Sequence, residues 1–122
     1  MFKDSIKIYG FDDRKILRVS DLGQDAKDID NFYSVAPFPN YDQKDTIKSL
    51  EEKLMKSDFL AGLKSEIGYG KRIIEVGSGT SQMSIVLANK TNNEVVAFDP
   101  SINSLILGQD FAEKMTLTMS FL

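Results

Sequence analysis

A chain of 122 residues is long enough for one domain with a buried core, and its 42% hydrophobic content is typical of a globular protein. Cysteine and histidine are both absent, which excludes disulfides, thiolate nucleophiles and imidazole catalysis, and we expect no metal site. The net charge is −3 without a long run of either sign, so we expect no surface that binds nucleic acid.

The amino terminus lacks the features of a targeting segment. Met1-Phe2-Lys3-Asp4 begins without an apolar run, and no apolar stretch approaches the length needed to cross a bilayer. We therefore expect a soluble cytoplasmic protein.

Residues 1–42 are predicted to form an N-terminal hairpin and a cap segment. Residues 5–9 and 15–19 are rich in apolar side chains and flank Gly10-Phe11-Asp12-Asp13, which predicts a β-hairpin with its turn at these four residues. An isolated hairpin is marginally stable in water, so it must pack on the rest of the chain. Residues 20–30 are polar and acidic and are predicted as a linker.

Residues 31–42 combine four aromatic side chains with Pro37 and Pro39. The prolines favour a stiff extended loop, and its aromatic area would be costly to expose. One interpretation is that the loop packs over a helix as a plug. The other is that Tyr33, Asn40 or Tyr41 lines a cofactor or substrate cleft, and the two are compatible.

Residues 43–122 are predicted as the start of a cofactor-binding domain, and two helices open it. The first covers residues 44–56 with Asp45 or Thr46 as its cap, and the second begins at Ser57 or Asp58. Gly68 and Gly70 end the second helix. Its apolar stripe consists of Leu60, Leu63 and Ile67.

The next stretch alternates strands and helices. Residues 72–76 are predicted as a strand, Gly77-Ser78-Gly79-Thr80 as a turn, residues 81–90 as a helix and residues 94–98 as a second strand. Asp99 ends that strand, residues 101–114 form another helix, and residues 116–122 begin a third strand. The pattern predicts an α/β fold with a parallel sheet.

The glycine turn and Asp99 indicate a nucleotide-like cofactor. Glycines allow the backbone to approach a ligand closely, and a carboxylate at the next strand end can accept hydrogen bonds from a ribose diol. A dinucleotide fingerprint has a third glycine where this chain has Gln82. Glu75 would also repel a pyrophosphate, whereas it suits a ligand that carries positive charge.

The segment Glu75-Val76-Gly77-Ser78-Gly79-Thr80-Ser81 resembles the acid-x-G-x-G-x-G motif of class I S-adenosylmethionine-dependent methyltransferases, with Ser81 replacing the last glycine. Asp99 matches the acid of their second motif. The resemblance covers roughly residues 67–122 and implies a Rossmann-like fold whose seven strands run in the order 3-2-1-4-5-7-6.

The resemblance also implies roles for individual residues. Glu75 and the turn amides of Gly77, Ser78, Gly79, Thr80 and Ser81 would hold the amino-acid end of S-adenosyl-L-methionine. Asp99 would hold the ribose, and Pro100 would lie against the adenine. Against this stands a structural interpretation, in which Asp99 is the N-cap of the next helix and Pro100 its first residue.

Only three of the seven strands would come from this chain. We therefore expect the N-terminal part of a methyltransferase, inactive alone, with its catalytic residues and methyl acceptor unknown. The open edge of the first strand would favour self-association unless the hairpin covers it. The alternatives are a non-catalytic binding or scaffold module and a nicotinamide-dependent oxidoreductase, against which Glu75 and Gln82 argue.

Overall fold

The computed structural model describes residues 10–11, 16–18 and 39–122. An antiparallel pair, β1 (Gly10–Phe11) and β2 (Leu17–Arg18), precedes the main α/β unit. That unit consists of α1 (Ile47–Leu54), α2 (Asp58–Ile67), β3 (Arg72–Val76), α3 (Gln82–Ala88), β4 (Glu94–Phe98), α4 (Ile102–Lys114) and β5 (Ser120–Phe121). No helix in these ranges has the length and apolar character to cross a membrane.

The sheet has the strand order β3-β4-β5, and both strand pairs are parallel. Parallel neighbours need a crossover connection, and α3 and α4 provide the two crossovers. Ile73 lies opposite Val95, and Val96 opposite Ser120. Three parallel strands with intervening helices confirm the predicted Rossmann-like α/β fold.

The first strand of the motif lies at one edge of this sheet. Among the described residues β3 pairs only with β4, which leaves its other side open. Ile74 and Val76 of this strand are 69% and 76% exposed. An apolar open edge of this kind is a surface on which another strand can pair.

The core lies around α3, which has no exposed residue. All seven of its residues are buried because it packs against β4, α1 and α4 at once. Ile16, from the N-terminal part of the chain, is buried in the same core cluster. The other buried members of that cluster are Leu50, Ile85, Val86, Ala97, Leu105, Phe111, Ala112 and Phe121.

The two predicted helices before the sheet form: α1 is shorter than the predicted 44–56, whereas α2 begins at Asp58 and ends before Gly68, as predicted. Thr46 caps α1 through a reciprocal pair of hydrogen bonds with Ser49, and Ser57 caps α2. Leu63 of the apolar stripe is not buried, since its side chain is 37% exposed. The helix lies at the surface without a fully buried residue, and only Leu60 and Ile67 of its stripe reach a core cluster.

The hairpin prediction needs a correction in its register. Gly10 pairs with Arg18 and Phe11 with Leu17, so two of the four residues assigned to the turn belong to the first strand. Residues 5–9, expected as the first strand, lie outside the described ranges.

Candidate functional site

The glycine turn between β3 and α3 follows a strongly bent path. Gly77 and Gly79 have φ angles of +73° and +57°, and Ser81 has +67°. A residue with a side chain costs about 1–2 kcal/mol in this left-handed region, which explains why related motifs place glycine there. Ser81 is fully buried, and its hydroxyl is hydrogen-bonded to that of Ser78 at 3.1 Å.

Backbone amides of the turn donate hydrogen bonds to carbonyl groups of the protein itself. The N–H groups of Gly77 and Ser78 both donate to the carbonyl of Phe98 at the end of β4, at 2.7 and 3.1 Å. The Ser81 N–H donates to the Ser78 carbonyl at 2.9 Å. These bonds fix the shape of the turn and join it to β4. The expected contacts between turn amides and a cofactor stay a prediction.

Asp99 connects the turn to the start of α4. Its Oδ2 accepts a hydrogen bond from the Gly79 N–H, and its Oδ1 accepts one from the Ser101 N–H, both at 2.8 Å. Ser101 is the N-cap of α4, since its hydroxyl accepts from the Ser104 N–H. The structural interpretation of Asp99 as N-cap and Pro100 as first helical residue is therefore wrong: the Asp99 carboxylate bends the chain towards the turn, and the helix begins later.

Glu75 places a second carboxylate beside Asp99. The Ser84 hydroxyl, on the first crossover helix, donates a hydrogen bond to its Oε2. Burial raises the pKa of Glu75 above its usual range; the Ser84 hydrogen bonds oppose this, and the charge of Asp99 adds to it. Among the described residues, Ser84 is the one that stabilises the ionised form of Glu75.

A cleft of about 480 Å³ opens over these groups. Six residues expected at the site line it, namely Glu75, Gly77, Ser78, Gly79, Asp99 and Pro100. Thr80 and Ser81 do not line it and are fully buried. Among the described residues that line it, two are carboxylates and none is a lysine or arginine. No group of three acidic side chains among the described residues is placed to hold a metal ion.

Sequence reasoning missed five further lining residues: Pro39, Leu54, Gln82, Met83 and Ser104. They come from four separate parts of the chain, so no local motif contains them. Gln82 had drawn attention only as a departure from a glycine motif. Its side chain is 1% exposed, and its Oε1 accepts no hydrogen bond from the described residues.

Three consecutive residues form hydrogen bonds with Thr80 and Gln82, and we call them the N-terminal clasp: Pro39, Asn40 and Tyr41. The Tyr41 hydroxyl donates to the Thr80 carbonyl at 2.6 Å, and the Thr80 hydroxyl donates to the Pro39 carbonyl. Gln82 Nε2 donates to the Asn40 carbonyl at 2.9 Å. Of the aromatic-segment candidates, neither Asn40 nor Tyr41 lines the cleft, and Tyr33 lies outside the described ranges.

Gly108 on α4 is another site residue that the sequence did not reveal. A Cβ atom built at this position would lie 2.6 Å from the Thr80 carbonyl oxygen and 3.0 Å from the Ser81 Cβ. The helix can approach the turn this closely because glycine has no side chain. A glycine inside an otherwise helical pattern was the available signal.

Comparison with known proteins adds a fold neighbour. No family model matches the chain, and no curated protein matches it. The crystal structure of the [4+2]-cyclase SpnF matches with a TM-score of 0.55 and 15% sequence identity, over 80% of this chain and 42% of SpnF. At this identity the likeness shows the fold alone, and it agrees with a methyltransferase-like α/β fold. This chain spans less than half of SpnF.

Proposed function

We propose that this chain is the cofactor-binding part of an S-adenosylmethionine-dependent methyltransferase. The observation that carries the proposal is the charge of the cleft. Glu75 and Asp99 face it, and no lysine or arginine is found among the described residues of its lining. S-adenosylmethionine brings a sulfonium, an ammonium group and a ribose diol, all of which complement carboxylates.

A nicotinamide dinucleotide fits the same cleft poorly. Two like charges 4 Å apart repel by about 4 kcal/mol at an effective dielectric constant near 20. A pyrophosphate beside Glu75 would meet this repulsion.

Each carboxylate has acceptor capacity left for a ligand. An ionised carboxylate offers roughly four lone-pair sites, and Asp99 uses one on each oxygen for the backbone. The remaining two match the two hydroxyls of a ribose. Glu75 would bind the ammonium group directly or through water, and Pro100, which is exposed, would lie against the adenine.

The chemistry proposed for the whole protein is transfer of the cofactor's methyl group to an acceptor. Such a displacement requires no protein nucleophile, so orientation of the two reactants supplies much of the rate. One fold hosts different reactions, and the fold neighbour SpnF is a [4+2]-cyclase. The charges of the cleft, and not the fold, therefore support S-adenosylmethionine as the cofactor.

Calorimetric titration of the chain with S-adenosylmethionine and with NAD⁺ tests the proposal. We expect S-adenosylmethionine to bind at least about tenfold more tightly, a difference of roughly 1.4 kcal/mol. Glu75→Gln should weaken that binding, while Glu52→Gln, on the exposed side of α1, should leave it unchanged. Tighter binding of NAD⁺, or binding of neither cofactor, would contradict the proposal.

A further inference from the structure

We infer that Tyr41 is a positioning residue for the ligand cleft, and that it acts by holding the Thr80 carbonyl. The ligand's identity rests on the proposed function, whereas the effect of Tyr41 on the turn does not. Tyr41 comes from the cap segment and stands 39 positions before Thr80 in the chain. It does not itself line the cleft.

The Tyr41 side chain is fixed at both of its ends. Its ring stacks on Phe111 of α4, with centroids 4.6 Å apart and planes inclined by 17°. Its hydroxyl donates to the Thr80 carbonyl at 2.6 Å. Gly108, one turn earlier on α4, lies against the same carbonyl. The Thr80 peptide is thus held between α4 and the Tyr41 hydroxyl.

The turn needs such support because its backbone is strained. Ser81, immediately after Thr80, has a left-handed conformation although it carries a side chain. Strained backbone persists only where its surroundings hold it. Thr80 is fully buried, so its carbonyl could not exchange the Tyr41 hydroxyl for bulk water.

The rest of the clasp joins the same turn to the cleft wall. Pro39 lines the cleft and accepts from the Thr80 hydroxyl, and Gln82 lines it and donates to the Asn40 carbonyl. Movement of Tyr41 would therefore displace two wall residues as well as the turn. Loss of its hydroxyl should weaken ligand binding without removing any atom that touches the ligand.

The test compares Tyr41→Phe with the parent chain and with Tyr69→Phe. The first variant keeps the ring stacked on Phe111 and removes only the donor. The control makes the same chemical change at a side chain that is 73% exposed. Thr80→Val, which removes the Pro39 contact alone, provides a second lesion of the clasp should Tyr41→Phe fold poorly.

The first measurement is hydrogen exchange of the ligand-free chains. We expect Tyr41→Phe to speed exchange at the amides of Gly79 and Ser81. The amide of Glu94, which donates to the Lys71 carbonyl at the far end of the strand pair, should not change. The second is titration with S-adenosylmethionine well below the melting temperature, where the affinity should fall about tenfold, as expected for losing one buried hydrogen bond that shapes the site.

These outcomes separate the inference from the proposed function. Unchanged exchange at the turn, or a uniform rise at every amide, overturns the positioning role. Faster exchange at the turn with unchanged affinity for S-adenosylmethionine overturns its link to ligand binding. Faster exchange at the turn in a chain whose parent binds no S-adenosylmethionine supports Tyr41 as a positioning residue and contradicts the proposed function.

Discussion

Replacing Asp99 with asparagine removes one of the two carboxylate oxygens that accept hydrogen bonds from the glycine turn and from the start of α4. Its two oxygens accept from the N–H groups of Gly79 and Ser101, each at 2.8 Å. Asparagine has a single oxygen, and its amide nitrogen would face the second N–H donor. One hydrogen bond to a charged group contributes about 1.5–3 kcal/mol, so Asp99→Asn should lower the free energy of unfolding by about that amount.

Urea denaturation followed by circular dichroism measures this change. Asp58→Asn is the matched control, because Asp58 is exposed in the first turn of α2 and should cost no more than about 0.5 kcal/mol. The same Asp99 variant should bind S-adenosylmethionine roughly tenfold to a hundredfold more weakly, since the remaining acceptor sites also change. A variant within about 0.5 kcal/mol of the parent would refute the bridging role of Asp99.

Four other predictions concern the turn, its neighbours and the sheet edge. Because folding raises the pKa of Glu75, the free energy of unfolding of the parent chain should fall as the pH rises from the usual carboxyl range towards the raised pKa. Glu75→Gln should abolish this fall in urea denaturation measured at several pH values. The same pH dependence in parent and variant would contradict the prediction. Ser81→Gly should change the free energy of unfolding by less than about 1 kcal/mol. Glycine relieves the left-handed backbone strain, but it loses the hydrogen bond to Ser78 and gains conformational entropy in the unfolded chain. A larger loss of stability in thermal melts would contradict the relief of strain. Gly108→Ala should weaken binding of S-adenosylmethionine in calorimetry by displacing the turn, and normal affinity would mean that the helix shifts freely. The exposed β3 edge with Ile74 should cause self-association in sedimentation experiments, reduced by Ile74→Lys, whereas a concentration-independent monomer would contradict it.

Most strands and helices of the α/β unit could be predicted from the sequence because each is marked by residues within its own segment. An apolar strand such as Arg72–Val76 is recognised by its run of apolar residues and a turn by its glycines, and the structure has that strand with the predicted bounds. Leu63 shows the limit of this reasoning. Helical spacing places it on a stripe, but whether the stripe is buried depends on what packs against the helix, which the spacing does not contain.

The candidate site shows the same division. The glycine turn and Asp99 were visible as a motif, and the structure brings them together in one cleft. The bond between Asp99 and Gly79, and that between Tyr41 and Thr80, join residues 20 and 39 positions apart. Such contacts depend on the packing of α4 and the cap segment. A single sequence carries no signal for them, so the hydrogen bonds of Asp99 and Tyr41 become apparent only in the folded chain.

We propose that S-adenosylmethionine binds in the cleft between Glu75 and Asp99. The most direct test is titration of the isotope-labelled chain with this cofactor, followed by amide chemical shifts in nuclear magnetic resonance. We expect shifts concentrated at Gly77, Gly79 and Ser101, and none at a second cleft of about 290 Å³ that Tyr69 lines. Shifts centred on that second cleft, or no shifts at saturating cofactor, would contradict it.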